Sequence, residues 1–95
     1  MPHMKFDWDW EKAAANEQSH DVSFDEAQDV FYDAHAVVER DIEHSQDEDR
    51  FRIIGLSGHK LLVVIYTEQG GVIHLISARE AEKRYRRIYE DQPER

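Results

Sequence analysis

The run of residues 61–66 (LLVVIY) is the sequence feature that most constrains the fold, because all six side chains are apolar or aromatic. A strand that is apolar on both faces is buried on both faces. The run therefore predicts a central strand of a sheet, which we extend to residues 61–67. It is far shorter than the roughly 18 apolar residues that a membrane-spanning helix needs, so no membrane association is expected.

Turn and capping signals divide the rest of the chain into short elements. Gly70 and Gly71 supply the positive φ angles of a tight hairpin turn after the central strand. Asp9 and Ser23 are positioned as helix N-caps, and Glu26 completes a capping box with Ser23. The resulting order is β-α-α-β-β-β-β-α, with strands at residues 5–7, 36–39, 51–56, 61–67 and 72–77. We expect an α+β protein in which an antiparallel sheet is covered by two N-terminal helices and a C-terminal helix.

Apolar spacing predicts which helix faces are buried. The inner side of the first helix, residues 10–19, is predicted to carry Trp10, Ala13 and Ala14. The buried stripe of the second helix comprises Phe24, Ala27, Val30 and Phe31. A second capping box, from Ser77 to Glu80, predicts that the C-terminal helix begins directly at the end of the last strand and ends near Glu90. Its buried stripe would comprise Ala78, Ala81, Tyr85 and Ile88.

The length of 95 residues allows one domain with one modest core, which we place at residues 4–91. Residues 1–3 either belong to the natural protein or are left over from cloning, and in the second case Met4 is the natural start. Residues 92–95 form a short tail. No secretory signal is visible. The chain has no cysteine, which fits a reducing compartment, so we expect a cytoplasmic protein.

The net charge of −9 is unevenly distributed. Residues 1–50 carry 15 acidic against 4 basic side chains, whereas residues 51–95 carry 6 against 8. An acidic chain does not favour promiscuous binding to nucleic acid, because phosphate contacts supply most of that affinity. Any such binding must use a local basic patch. The acidic half either serves a basic partner or only keeps the protein in solution.

Basic residues cluster on the predicted C-terminal helix. Four of them share one side at helical spacing: Arg79, Lys83, Arg86 and Arg87. These four residues form either an anion-binding surface or a solvated face with ion pairs. Arg84 is expected to lie apart from them and to pair with Glu80. Arg79 differs from the rest, because a cation in the first helical turn opposes the helix dipole. That position favours a role in holding an anion.

A second cluster lies at residues 44–50 (HSQDEDR). His44, Glu48 and Arg50 can together supply a general base, a general acid and a stabilising cation without a metal. The segment is otherwise a solvated loop or a divalent-cation site, although it lacks the glycine and alternating ligands of a calcium loop. His20, between the two N-terminal helices, either packs structurally or lines the same site.

Several short segments, taken in order, resemble the BrnT toxin family over residues 4–91. They are FDWD at 6–9, EKAAAN at 11–16, HDVSFDEA at 20–27, HS at 44–45 with Glu48 and RF at 50–51, GLS at 55–57, VIYT at 64–67, ISAR at 76–79 and YE at 89–90. Each segment is weak by itself, but their order and spacing form a strong joint signal.

This resemblance implies a RelE-like fold and a ribonuclease toxin of a type II toxin–antitoxin system, which cleaves RNA without a metal and arrests translation. It also implies neutralisation by a BrnA-type antitoxin with a ribbon-helix-helix DNA-binding domain, so that operator DNA is contacted only through the antitoxin. The catalytic residues that it implies are His44, Glu48, Arg50 and Arg79. The side chains expected to hold RNA phosphates are Lys83, Arg86, Arg87 and His20. No cofactor is expected.

Two other interpretations stay open. The chain is alternatively a catalytically weak subunit that binds and modulates a ribbon-helix-helix antitoxin in operon autoregulation, or an unrelated small α+β interaction domain. A neighbouring gene for a small ribbon-helix-helix protein separates the toxin and the antitoxin-modulating subunit from the unrelated interaction domain. Toxicity on expression separates the toxin from the modulating subunit.

Overall fold

The computed structural model describes residues 4–45 and 48–93. The helices and strands follow in the order β1 (Lys5–Trp8), α1 (Trp10–His20), α2 (Phe24–Ala27), β2 (Val37–Arg40), β3 (Phe51–Ser57), β4 (Lys60–Gln69), β5 (Val72–Glu80) and α3 (Lys83–Glu90). Two 3₁₀ segments, Gln28–Tyr32 and Ile42–His44, come after α2 and β2. This order confirms the α+β class. The predictions for residues 1–3 and for the last two residues of the tail lie outside the described residues.

The five strands form one sheet in the order β1-β5-β4-β3-β2, so β4 is central, as its doubly apolar sequence predicts. The pairs β2–β3, β3–β4 and β4–β5 are antiparallel. β1 pairs in parallel with β5, so the prediction of an antiparallel sheet is wrong at this edge. Hairpins determine pairing direction only between strands that follow each other in the chain. β1 and β5 are separated by all the other strands, so no local signal fixes their direction.

The main core lies between the sheet and the elements α1, α2 and Gln28–Tyr32. The residues predicted to be buried on the second helix do pack in the core, because Phe24, Ala27 and Val30 are buried and Phe31 packs against them. The helix itself ends at Ala27, and Val30 and Phe31 belong to the 3₁₀ segment. Gly55 of β3 allows the close approach of Gln28–Tyr32, since a Cβ at this position would lie 3.1 Å from the Cβ of Val30. None of the helices in the described part of the chain is long and apolar enough to cross a membrane.

The inner side of α1 differs from the prediction. Trp10 is 83% exposed and Ala14 is exposed, and only Ala13 packs against the core. Asn16 is the buried residue of this helix. Its amide nitrogen donates to the carbonyls of Val22 and Ala78, and its Oδ1 accepts from the Ala78 amide. Apolar spacing cannot identify a buried side chain whose polar atoms are hydrogen-bonded in this way.

The second capping box is not formed. Residues 77–80 continue β5, whose ladder with β4 extends to Glu80 opposite Leu62. The sheet satisfies their backbone groups and so outweighs the local capping signal. α3 begins instead at Lys83, after Glu82, and ends at Glu90 as expected.

α3 packs on the opposite face of the sheet from α1 and α2. It contributes buried Tyr85 to a small second core with Ile54, Leu61 and Val63. Of the stripe predicted for this helix, Tyr85 is buried on α3 and Ala81 is half-buried just before it. The prediction is wrong for Ala78, which belongs to β5 and packs in the main core, and Ile88 is 36% exposed. Because α3 is only eight residues long, it leaves part of this face open.

Candidate active site

A β-bulge in β5 determines which side chains reach the α3 face of the sheet. Tyr66 of β4 lies opposite Leu75, but its neighbour Ile65 lies opposite Ser77. Ile76 is therefore an extra residue in β5. Such a residue reverses the alternation of side chains beyond it, and bulges often re-aim side chains near active sites.

The bulge turns Arg79 towards α3. Ala78, the residue before it, packs in the main core, so Arg79 points to the opposite face. The placement of Arg79 in the first turn of a helix, and the dipole argument built on it, are wrong. Asn16 of α1 holds the backbone of Ala78 from the other side, which fixes the strand next to Arg79.

Two adjoining cavities of about 230 Å³ and 310 Å³ open on the α3 face, and we call them together the groove. Their shared wall comprises Arg52, Ile65, Ser77, Arg79 and Tyr85. His20, at the end of α1, lines only the smaller cavity, and His44 lines only the larger one. The larger cavity is also lined by Asp41, Glu43, Arg50 and Arg84.

Tyr85 and two arginines form a cationic wall of the groove. The Arg52 guanidinium lies 5.2 Å from the ring centre of Tyr85 and donates from Nε to Oε1 of Glu39 at 3.1 Å. Its Nη2 forms an ion pair with the same oxygen at 3.0 Å. Arg84 lies 4.5 Å from the same ring centre and donates from Nη2 to the Tyr85 hydroxyl at 2.6 Å. Cation–π stacking and these hydrogen bonds hold both guanidinium groups in fixed orientations.

Arg79 and Arg50 are held less tightly. Arg79 is 47% exposed and forms an exposed ion pair with Glu82 at 3.1 Å. Such surface pairs are weak, so an anion can compete for this guanidinium. The Nε of Arg50 is buried and has no hydrogen-bond partner among the described residues.

His44 is oriented by a buried carboxylate. Its Nδ1 lies 2.9 Å from Oδ2 of Asp41, whose side chain is only 9% exposed. When Nδ1 carries the proton and donates it to Asp41, Nε2 is left as the basic nitrogen. Asp41 is itself fixed, because its amide donates to the carbonyl of Arg50 at 2.8 Å. This arrangement suits a general base.

The structure does not bring all the predicted residues together. Glu48 is exposed and lines neither cavity of the groove. The other loop residues considered with it, Gln46 and Asp47, lie outside the described residues. Among the residues that the structure describes, no three His, Asp or Glu side chains are grouped as metal ligands.

The basic side of the C-terminal helix is also divided. Lys83, Arg86 and Arg87 are exposed on α3 and line neither cavity, and Arg86 pairs with Glu90 at 3.8 Å. Since Arg79 belongs to β5, the predicted patch of four residues on one helix does not exist. Arg84 stacks on Tyr85 inside the groove, so its expected role as a helix-surface residue paired with Glu80 is wrong.

Sequence reasoning missed Arg52, Arg84 and Tyr85 as groove residues. Tyr85 was assigned only to the core, which it also joins. Arg52 gave a usable signal, because it is the one charged residue of the strand FRIIGLS. A charged side chain at a half-buried strand position needs partners, and these partners indicate a polar site.

The fold and the groove together define a small α+β protein with a cationic groove, flanked by two imidazoles, that suits a phosphodiester substrate. The family model of the ribonuclease toxin BrnT of type II toxin–antitoxin systems matches residues 8–84. The chain therefore belongs to this family of ribonuclease toxins. The match contains every groove residue named above except Tyr85. No curated protein matches the chain.

Proposed function

We propose that this protein is a metal-independent endoribonuclease that cleaves RNA through the ribose 2′-OH and thereby arrests translation. The observation that carries the proposal is the meeting of Arg52, Arg79 and His44 in one groove of a ribonuclease-toxin family member. Cleavage through the 2′-OH needs a base for that hydroxyl, an acid for the leaving 5′-oxygen and cations for the charged phosphorane. The arginines of the groove supply that positive charge.

Each residue has a separate role in this reaction. Arg79 and Arg52 hold the scissile phosphate, with Arg50 beside them, because a guanidinium fork matches two phosphate oxygens. His44 takes the proton of the 2′-OH, and the resulting oxygen attacks phosphorus. The bond from phosphorus to the 5′-oxygen breaks, which gives a 2′,3′-cyclic phosphate and a 5′-hydroxyl. Glu48 stays a candidate for protonating the leaving oxygen.

The proposed partner is a BrnA-type antitoxin that carries a ribbon-helix-helix DNA-binding domain. Membership of a type II toxin–antitoxin family establishes a protein antitoxin as the class of partner. The excess of acidic residues in the first half of the chain, 15 against 4 basic ones, supports a basic surface on that partner. Operator DNA is reached through the antitoxin, and the protein acts in the cytoplasm, where its RNA substrate is found.

Growth of a bacterial culture tests this function. Induced expression of the protein is expected to arrest growth, and co-expression of the neighbouring antitoxin gene is expected to restore it. His44→Gln should be harmless, whereas His59→Gln, at an exposed turn position outside the groove, should stay toxic. The net charge of −9 favours the second candidate, a catalytically weak subunit that modulates its antitoxin on operator DNA. Harmless expression of a folded wild-type protein would support that candidate.

A further inference from the structure

We infer that His20 is the general acid that protonates the leaving 5′-oxygen, in place of Glu48, while His44 is the general base. This inference rests on the proposed ribonuclease function and assigns the second proton transfer of that reaction. It comes from the placement of the two imidazoles in the groove.

The two histidines line different parts of the groove. His20 lines only the smaller cavity and His44 only the larger one, and the wall that both cavities share contains Arg52 and Arg79. In an in-line displacement the entering and leaving oxygens lie on opposite sides of phosphorus. A phosphate held by the shared arginines would therefore have one imidazole near its entering oxygen and the other near its leaving oxygen.

Glu48 is poorly placed for the same task. Like His20 and His44 it is exposed, but unlike them it lines neither cavity, and it lies only four residues from His44 in the same loop. An imidazole exchanges its proton near neutral pH and serves as either acid or base.

His20 is positioned by the end of α1. It is the last residue of that helix and is exposed. Glu17 and Asp21 flank it on its own helix and cap, and Arg52 and Arg79 face it across the smaller cavity. Asn16 of the same helix bonds to Ala78, directly before Arg79, so the helix and the phosphate-binding strand are held in one rigid arrangement.

His44 is oriented for the role of general base. Asp41 binds Nδ1, and the other charged groups that line the larger cavity with it are Glu43, Arg50, Arg52, Arg79 and Arg84. Nε2 of His44 accepts the proton of the 2′-OH as the bond from the 2′-oxygen to phosphorus forms. The bond from phosphorus to the 5′-oxygen breaks, and His20 gives its proton to that oxygen. His44 is then protonated and His20 neutral, and proton exchange with water restores both.

A leaving group that needs no proton separates the acid from the base. The substrates are a synthetic RNA oligonucleotide and the same RNA with sulfur replacing the bridging 5′-oxygen at the mapped cleavage position, because a thiolate leaves without protonation. His20→Gln is expected to lower cleavage of the ordinary RNA by about 10²-fold or more and to cleave the sulfur-containing RNA within about tenfold of wild type. His44→Gln should be impaired on both.

The pH dependence gives an independent readout. Wild-type kcat/KM should follow a bell-shaped profile, whose alkaline limb reports loss of the acid's proton. His20→Gln should lose the alkaline limb, His44→Gln the acidic limb, and Glu48→Gln and the control His59→Gln neither. Melting temperatures verify that each variant is folded.

Three results would overturn the inference. An active wild type with a fully active His20→Gln variant would reject it and leave the ribonuclease proposal intact. If the His20→Gln variant lost the same fraction of its cleavage activity on both RNAs, His20 would not be the acid. A wild type that cleaves no RNA would reject the proposed function together with this inference.

Discussion

Arg79→Ala is expected to lower kcat/KM for RNA cleavage by about 10²–10³-fold and to leave the protein folded. Arg79 lines both cavities of the groove, where it would stabilise the charge that develops on the phosphorane. Its only charged contact among the described residues is the exposed ion pair with Glu82. A pair of this kind contributes little to folding, so the free energy of unfolding should change by less than about 1 kcal/mol.

Arg86→Ala is a closely matched control. Arg86 is 48% exposed, against 47% for Arg79, and it too forms an ion pair with a nearby glutamate. Its partner Glu90 lies four residues further along the chain, whereas Glu82 lies three residues after Arg79. It differs in lying on α3 outside the groove, so its removal should leave cleavage unchanged. Both variants are compared by kcat/KM on the same RNA and by melting temperature. Equal losses of activity in the two variants would mean that the exposed arginines act only as a diffuse surface charge.

Arg52→Gln is expected to lower both activity and stability. The Arg52 side chain is 22% exposed, donates one hydrogen bond to Glu39 and forms an ion pair with it, while its Nη1 lies 4.0 Å from buried Asp41. The substitution removes the positively charged partner of both carboxylates, which should lower the free energy of unfolding by about 1–3 kcal/mol. Loss of a phosphate-binding guanidinium should also lower kcat/KM by about 10²-fold.

The salt dependence of RNA binding separates the two effects of Arg52. A lost phosphate contact on single-stranded RNA should reduce the slope of log Kd against log salt concentration by about 0.7, which loss of stability alone would not change. Arg87→Gln, at an exposed position of α3 outside the groove, is the control and should keep activity, stability and most of the slope. A folded Arg52→Gln variant with wild-type slope and activity would remove Arg52 from the proposed substrate site.

Local patterns were sufficient for the order of elements. The doubly apolar run of β4, the paired glycines after it and the Ser23–Glu26 capping box each depend on neighbouring residues, and each is found in the structure. Interactions between distant segments were not accessible in this way. The parallel pairing of β1 with β5 and the burial of Asn16 against Ala78 both join residues far apart in the chain.

The groove was less predictable than the fold, because its geometry depends on one extra residue. Without the bulge at Ile76, Arg79 would follow the regular alternation of β5 and point into the main core. Sequence spacing placed Arg79 on a helix with Lys83, whereas the structure places it on β5, where it lines the groove together with Arg52 of β3. The prediction of Arg79 as an anion-binding residue therefore stays open, although its structural reason was wrong.

The chemical ends of the RNA products, made in the presence of EDTA, test the central claim most directly. The groove is proposed to cleave through the 2′-OH with arginines and imidazoles, so chelation should leave the rate unchanged. The products should carry a 2′,3′-cyclic phosphate and a 5′-hydroxyl. The Arg79→Ala variant should not form these products at a rate comparable to that of the wild type. Products with a 3′-hydroxyl and a 5′-phosphate, or cleavage that EDTA abolishes and added metal restores, would contradict the account.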